Sequence, residues 1–456
     1  MTDIKSILKT QRSYYAKGET KTTAFRINSL RKLKAAIEAN EREIFEALKA
    51  DLNKSSFEAY MTEVGIVLDE IKYIIKNLKK WNRVKKVRTS PAHFKSSSFI
   101  FSEPYGIVLI MSPWNYPFQL TLAPLAGAIA GGNCAIVKPS AYSPNTSAVI
   151  SKIIGECFGP EYITVIEGGR DANQELIREK FDYIFFTGSV SVGKYVMEAA
   201  SKHLTPVTLE LGGKSPCIVH RDANIDLSAR RIVWGKFLNS GQTCVAPDYL
   251  YVHRDVKVRL IEAMKKYIAE FYGDDPCKNN EYPKIINKKH FDRLVAFLGS
   301  GKISAGGRYN PDTLQIAPTI LEDVDWEKPV MQEEIFGPVL PLMEYGDIKD
   351  VISEITGRPK PLALYLFTRS KELEHNILNC ISFGGGCIND TIVQLATSRM
   401  PFGGVGESGM GGYHGKWSFD TFTHKKSVLK KSFFIDIKLR YAPYKNKIRL
   451  LKKMMG

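Results

Sequence analysis

Cysteine is scarce in this chain: there are seven among 456 residues, and no two form a C-x-x-C pair. An odd count without paired spacing excludes a disulfide framework and a zinc ribbon, and it favours a reducing compartment, the cytoplasm. Long apolar runs are absent too. No stretch reaches the roughly eighteen uninterrupted apolar residues of a membrane span. The amino-terminal segment MTDIKSILKTQRSYYAKGETK has no apolar leader core, so a soluble protein is expected. The dinucleotide fingerprint G-x-G-x-x-G does not occur, and there is no internal repeat or low-complexity linker. Acidic residues are nearly missing from the carboxyl end, where Asp436 alone stands against eleven Lys or Arg between Thr421 and Gly456. That tail therefore carries +10 of the net charge of +16, and the body is only mildly basic. The tail interleaves basic and aromatic residues without any recognisable nucleic-acid module, so no nucleic-acid partner is expected. A solvated segment, or a weak electrostatic contact with an anionic membrane surface, accounts for the charge.

The composition that is present, 44% hydrophobic and 25% charged, is that of a globular protein long enough for two or three domains. Apolar residues recur at three- and four-residue spacing in INSLRKLKAAIEANEREIFEALKADL and VGIVLDEIKYIIKNLKKW. This spacing predicts helices over the first eighty residues, supplying packing rather than chemistry. VKKVRTSPAHFKSSSFIFSEP is polar, β-prone and without helical period, as suits an extended ribbon projecting from the body. From Tyr105 onward, the short apolar runs YGIVLIM, CAIVKP, ITVIEG and YIFFTG alternate with the helical runs FQLTLAPLAGAIAGG, NTSAVISKIIGECF and QELIREKF. Strands apolar on both faces and separated by helices predict a parallel sheet covered on both sides, with ligands at the carboxyl ends of the strands. After TPVTLELGG and PCIVH, the helical stretch NIDLSARRIVWGKFLNSG leads to Cys244, and α/β segments continue to about LALYLFTRS. The expected fold class is α/β, with two α/β domains in sequence.

Several short motifs stand at predicted strand ends. GSVSVGK follows the strand YIFFT, so Gly188 and Ser189 open a helix whose free N–H groups suit a phosphate or pyrophosphate. Tyr195 stands where a phosphate-binding loop needs a Mg²⁺-binding Ser or Thr, which excludes nucleotide triphosphate hydrolysis. SPWNYP places Asn115 at the carboxyl edge of the sheet, where a side-chain amide can donate to a developing oxyanion or simply form a turn. LELGGK ends a strand at Glu210, and QEEIFGP holds Glu333 and Glu334 in a similar setting. Cys244, in NSGQTCVAP, is open to two readings, a buried structural thiol or a nucleophile.

Taken in order, SPWNYP, KPS, FTGS, LELGGK, GQTCVAP, EEIFGP and PFGG resemble the aldehyde dehydrogenase superfamily over nearly the whole chain. The tyrosine of PWNYP and the short amino terminus resemble its class 3, fatty-aldehyde branch. The resemblance implies a Rossmann-like cofactor domain, an α/β catalytic domain and a small β oligomerisation element. By that match the dinucleotide-binding domain spans 1–83 and 104–208, and the catalytic domain 209–410. The oligomerisation element spans 84–103 and 411–437, and the basic tail 438–456. It also implies that Cys244 attacks the aldehyde to form a thiohemiacetal and then a thioester. Asn115 and the Cys244 backbone N–H stabilise the oxyanion, and Glu210 activates the hydrolytic water. For a bound NAD or NADP, the match assigns Lys138 to the adenosine ribose, Gly188 and Ser189 to the pyrophosphate region, and Glu334 to the nicotinamide ribose hydroxyls. Gly193 and Phe336 are further cofactor-binding residues by the same match. Tyr116, Trp234 and Phe402 would line an apolar funnel for medium- or long-chain or aromatic aldehydes. No metal is expected, and a homodimer is. The chain departs from the family pattern at Ala141, where a Glu commonly follows KPS and binds the adenosine 2′-hydroxyl, so both cofactors are expected to serve. It departs again at Glu407, in GESG for GNSG. A cysteine hydrolase or acyltransferase would need a histidine paired with Cys244, and none of the eight lies near a motif that would place it there. A non-catalytic nucleotide-binding protein would leave Cys244 and Glu210 unexplained.

Overall fold

The computed structural model describes residues 3–90, 93–436 and 438–455. Met1, Thr2, Pro91, Ala92, Ile437 and Gly456, which the expected domain and tail boundaries include, lie outside the described residues.

Two α/β bodies account for most of the chain. The first is built on a six-stranded sheet in the order Gly409–Met410, Val207–Glu210, Tyr183–Thr187, Ile107–Met111, Cys134–Lys138, Ile163–Val165. All neighbours are parallel except the Gly409–Met410 edge. Every residue of Ile107–Met111, Cys134–Lys138 and Tyr183–Thr187 is buried, which is why these strands read as continuous apolar runs. The helix Gln119–Gly131 is buried all round, with no polar face. It packs on the amino-terminal helices Thr23–Ala39 and Gly65–Trp81, and on Lys416–Thr421. The small side of this helix allows that closeness: a Cβ at Gly127 would lie 2.9 Å from Ser418 Cβ.

The second body carries a seven-stranded sheet in the order Lys302–Ala305, Thr319–Glu322, Val339–Tyr345, Tyr249–His253, Pro216–Val219, Ala363–Phe367, Gly385–Ile388. Only its first pair is antiparallel. A third, antiparallel sheet joins Lys85–Val87, Ser96–Pro104 and Thr423–Lys431. The ribbon expected from VKKVRTSPAHFKSSSFIFSEP is thus two strands, completed by a partner from the far end of the chain.

Two details differ from the linear division of the sequence. The boundary at 208 falls inside the strand Val207–Glu210 of the first sheet, which also recruits Gly409–Met410. Tyr413, Phe419 and Phe422 pack into the core of that first body, so from residue 411 on only Thr423–Lys431 joins the ribbon sheet. Local pattern marks elements but does not reveal which core a returning segment enters. After Ser432, whose N–H donates to Lys95 O, the tail hydrogen-bonds only to itself among the described residues.

Candidate active site

The carboxyl ends of the first sheet's strands bring four polar groups to one edge: Ser112 after Ile107–Met111, Lys138, Thr187 and Glu210. Ser112 Oγ, Thr187 Oγ1 and both Glu210 carboxylate oxygens are buried without a hydrogen-bond partner. Unpaired buried polar atoms are uncommon, and three together at a strand-end crevice mark a site for ligand or water. Burial, with no opposing charge, raises the Glu210 carboxyl well above the usual carboxylate range.

Cys244 comes from the second body. The helix Ile225–Phe237 stops short of it, and Asn239, Ser240 and Gly241 follow in left-handed conformations with φ of 52°, 51° and 71°. Gly241 is needed there, because a Cβ would lie 2.3 Å from Gly337 O in the facing FGP turn. Around this tight turn, Gln242 Nε2 donates to Asn239 O and to Lys284 O, and its Oε1 accepts from Ile286 N. Tyr365 OH donates to Val245 O at 2.6 Å, and Tyr116 OH shares a 2.6 Å bond with Thr243 Oγ1. Cys244 is thus held from both sides. Its thiol faces the backbone N–H groups of Cys244 and Val245, but desolvation first, and then the carboxylates of Glu334 and Glu210, push its pKa up.

One cavity opens between the two bodies, and its wall includes Cys244, Glu210, Tyr116, Trp234 and Phe402. These five residues, drawn from four sequence motifs and one helix, line one cavity. Asn115 is only 2% exposed and stands behind the wall, where its Nδ2 donates to Gln242 O at 3.0 Å. An amide nitrogen has two protons, so one remains free to donate.

Lys138, Gly188, Ser189, Gly193, Glu334 and Phe336 do not line this cavity. Lys138 is buried at its strand end, donates to Pro139 O, and is pushed down to about 8, mainly by burial. Ser189 caps the helix Val190–Ser201 by position but without a side-chain hydrogen bond, which leaves first-turn N–H groups available. Gly193 is also required by packing: a Cβ there would meet Leu211 Cδ2 at 2.6 Å. Glu334 lies against Gly212, whose missing Cβ would stand 2.0 Å from Glu334 Oε2, and burial lifts this carboxyl to about 8. Phe336, at φ 52°, sets its ring edge-on to Trp114 at 5.3 Å.

Two contributions to the cavity wall were not marked in the sequence. The amino-terminal helices do more than pack, since Met61, Thr62 and Ile66 form part of the cavity wall. A histidine also reaches the cavity: His414 lines it, buried between Tyr413 and Phe402. Its pKa falls to about 4 through desolvation, and no hydrogen bond joins it to Cys244 among the described residues. Neither could be read from spacing, because these residues approach the cavity only when both ends of the chain fold onto the first sheet. Leu120, Leu238, Ile392, Val393 and Leu395 complete the apolar wall and were likewise unmarked.

The fold and cavity define a two-body α/β enzyme with a cysteine and a carboxyl at one apolar cleft. A family model described as the aldehyde dehydrogenase family matches residues 1–428, and the chain belongs to that family. It is 50% identical over 443 residues to the 4,4'-diaponeurosporen-aldehyde dehydrogenase of Staphylococcus aureus, covering 97% of this chain and 96% of that one. It is 44% identical over 445 residues to the dimeric NADP-preferring aldehyde dehydrogenase of the dog, covering 97% and 98%. A substrate-bound structure of Staphylococcus aureus AldH superposes with a TM-score of 0.98 at 48% identity, covering all of both chains. The chain is therefore an oxidoreductase that oxidises aldehydes, and its family uses NAD or NADP.

Proposed function

We propose that Cys244 is the nucleophile, Glu210 the general base and Asn115 an oxyanion donor in the oxidation of apolar aldehydes to carboxylic acids. The observation that carries this reading is the meeting of Cys244 with an unsolvated, hydrogen-bond-free Glu210 on one apolar cavity wall. Sγ gives up its proton to water in the cleft and bonds to the aldehyde carbon, and the carbonyl oxygen becomes an oxyanion. The free Nδ2 proton of Asn115 and the Cys244 N–H stabilise that charge, each worth about 3 kcal/mol of barrier in sites of this type. The nicotinamide cofactor, when bound, supplies the acceptor for the hydride that leaves the tetrahedral carbon. Glu210 then takes a proton from water as its oxygen attacks the thioester, and the acid and the free thiol are released.

The residues present fit such a cofactor. The orphaned Ser112 and Thr187 hydroxyls, the uncapped helix start at Ser189 and Lys138, which makes no ion pair among the described residues, lie at strand ends where a dinucleotide would run, and support the 104–208 segment as its domain. Lys138 would reach the adenosine ribose, Gly188 and Ser189 the pyrophosphate, and Glu334 and Phe336 the nicotinamide side. Ala141 is exposed and offers no carboxylate to bind a 2′-hydroxyl or repel a 2′-phosphate. We expect NAD⁺ and NADP⁺ both to support turnover, with kcat/KM within about a hundredfold of each other, a difference of under ~3 kcal/mol. In Ala141→Glu the balance moves toward NAD⁺. Read on the same assay at 340 nm, kcat/KM rises from two- to eight-carbon aldehydes, since each buried methylene contributes about 0.8 kcal/mol. A flat chain-length series would remove the funnel of Tyr116, Trp234 and Phe402.

The antiparallel ribbon supports a homodimer, with Val428 and Leu429 exposed along its last strand. The tail helix Ile448–Met455 sets Ile448, Leu450 and Leu451 on one side and Arg449, Lys452 and Lys453 on the other. With exposed Phe433 and Phe434, this arrangement supports a weak contact with an anionic membrane surface. The seven free thiols suit a cytoplasmic location. Light scattering at micromolar concentration is expected to give a dimer, and co-sedimentation with anionic vesicles to weaken as salt rises. A monomer, or salt-insensitive sedimentation, would refute the respective half.

A further inference from the structure

The helix Gly65–Trp81 is entered through the short helix Ser56–Ala59 and a π-turn at Tyr60–Val64. Such turns are rare, and they commonly mark functional positions because they offset the side chains on either side. Here the turn points Met61 and Thr62 at the cavity wall while aiming Glu63 at the PWNYP loop. Glu63 is 0% exposed. Its Oε2 accepts from the backbone N–H groups of Phe118 at 2.8 Å and Gln119 at 3.2 Å, so it caps the uncapped start of helix Gln119–Gly131 from another part of the chain. Its Oε1 pairs at 2.5 Å with Lys54 Nζ, also 0% exposed.

Lys54 has two further contacts, both on the same loop. Its Nζ donates to Asn115 O at 3.2 Å and lies 4.1 Å from the centre of the Tyr116 ring. Asn239 Nδ2, from the turn before Cys244, donates to that same Asn115 carbonyl at 2.8 Å, and Asn239 N donates to Glu58 Oε1 at 2.9 Å. The buried charges of this helical segment therefore clamp the loop that carries Asn115 to the turn that carries Cys244. None of the three touches the cavity.

We propose that Lys54 and Glu63 are positioning residues that hold the Asn115 amide in register with Cys244 for oxyanion stabilisation. The proposal rests on the reading of Asn115 as an oxyanion donor. A charge buried without solvent is costly unless each of its contacts is in place, so the pair permits only a narrow set of loop positions. Loss of the clamp frees the loop to move by a fraction of an ångström, enough to weaken a donor whose geometry matters.

The test is a double-mutant cycle read on the pre-steady-state burst of reduced cofactor, with cofactor affinity measured separately by calorimetry. Lys54→Met is expected to slow the burst about ten- to hundredfold and to leave the cofactor Kd within about twofold. Asn115→Ala slows it about 10²- to 10³-fold. In the Asn115→Ala background, Lys54→Met is expected to cause little further loss, because its effect passes through the missing amide. Lys54→Arg restores part of the rate. Should Lys54→Met fail to fold, the paired variant Lys54→Met, Glu63→Leu removes both charges and is carried through the same cycle. Losses that multiply in the combined variant overturn the positioning role, as does a cofactor Kd that rises in step with the burst defect. An unchanged burst in Asn115→Ala overturns the oxyanion reading itself, and the proposal falls with it.

Discussion

Cys244→Ala is expected to abolish formation of reduced cofactor, lowering kcat/KM by about 10⁴-fold or more, while the protein keeps its fold and its cofactor affinity. The size follows from the chemistry: without Sγ there is no tetrahedral carbon from which hydride can leave, and removal of a covalent nucleophile commonly costs several orders of magnitude. The fold is insensitive because the turn does not depend on the thiol. It is held by Tyr365 on Val245 O, by Tyr116 on Thr243 and by the three Gln242 bonds, and Cys244 Sγ makes no hydrogen bond to another residue's side chain among the described residues. Circular dichroism and calorimetry check the fold and the binding, and absorbance at 340 nm checks turnover. Substantial turnover in a folded Cys244→Ala protein would falsify the nucleophile assignment.

Glu210→Gln separates the two halves of the reaction. Hydride departure needs no general base on water, whereas thioester hydrolysis does, so a burst of about one reduced cofactor per site should precede turnover slowed by about 10²- to 10⁴-fold. The pH dependence gives a second reading. A base acts only when ionised, and burial raises the Glu210 carboxyl well above its ordinary value. Deacylation in the unsubstituted enzyme therefore strengthens as pH rises through that raised pKa and is lost as pH falls below it. Glutamine cannot ionise, so this limb of the kcat profile should flatten in the variant. Unchanged steady-state turnover would assign the base elsewhere. His414 is a poor substitute, because desolvation lowers its pKa to about 4 and so weakens its imidazole as a base.

Much of the site was legible because its residues sit at the ends of elements that local pattern marks well. A buried strand reads as an apolar run, its carboxyl end as a polar residue within two positions of a Gly or Pro, and Lys138, Thr187 and Glu210 lie at such ends. The resemblance over seven motifs then supplied what spacing could not: which of the polar residues act together. Other contributions left no local trace. The helix leading to Cys244 stops at Phe237 because three left-handed residues let the chain pass against Gly337, a constraint set by a strand end almost one hundred residues on. The close packing of Gly193, where an added Cβ would meet a Leu211 side chain, is likewise invisible in the sequence.

By itself, then, the sequence determined the α/β class, the alternation of apolar strands and helices, and the order in which the reactive residues reach strand ends. Those properties follow from hydrophobic period and backbone chemistry over ten or fifteen residues, and they survive without knowledge of the rest of the chain. Tertiary structure alone decided which groups share one apolar cavity. Asn115 reaches Gln242 across 127 positions, and Glu63 reaches the start of helix Gln119–Gly131 across 55. Tyr413 and His414 return from the far end of the chain to line the same cavity as Glu210. The raised carboxyl of Glu210, the pressure on the Cys244 thiol and the clamp on Asn115 all come from burial between two bodies. Desolvation belongs to the assembled interior and to no residue taken alone.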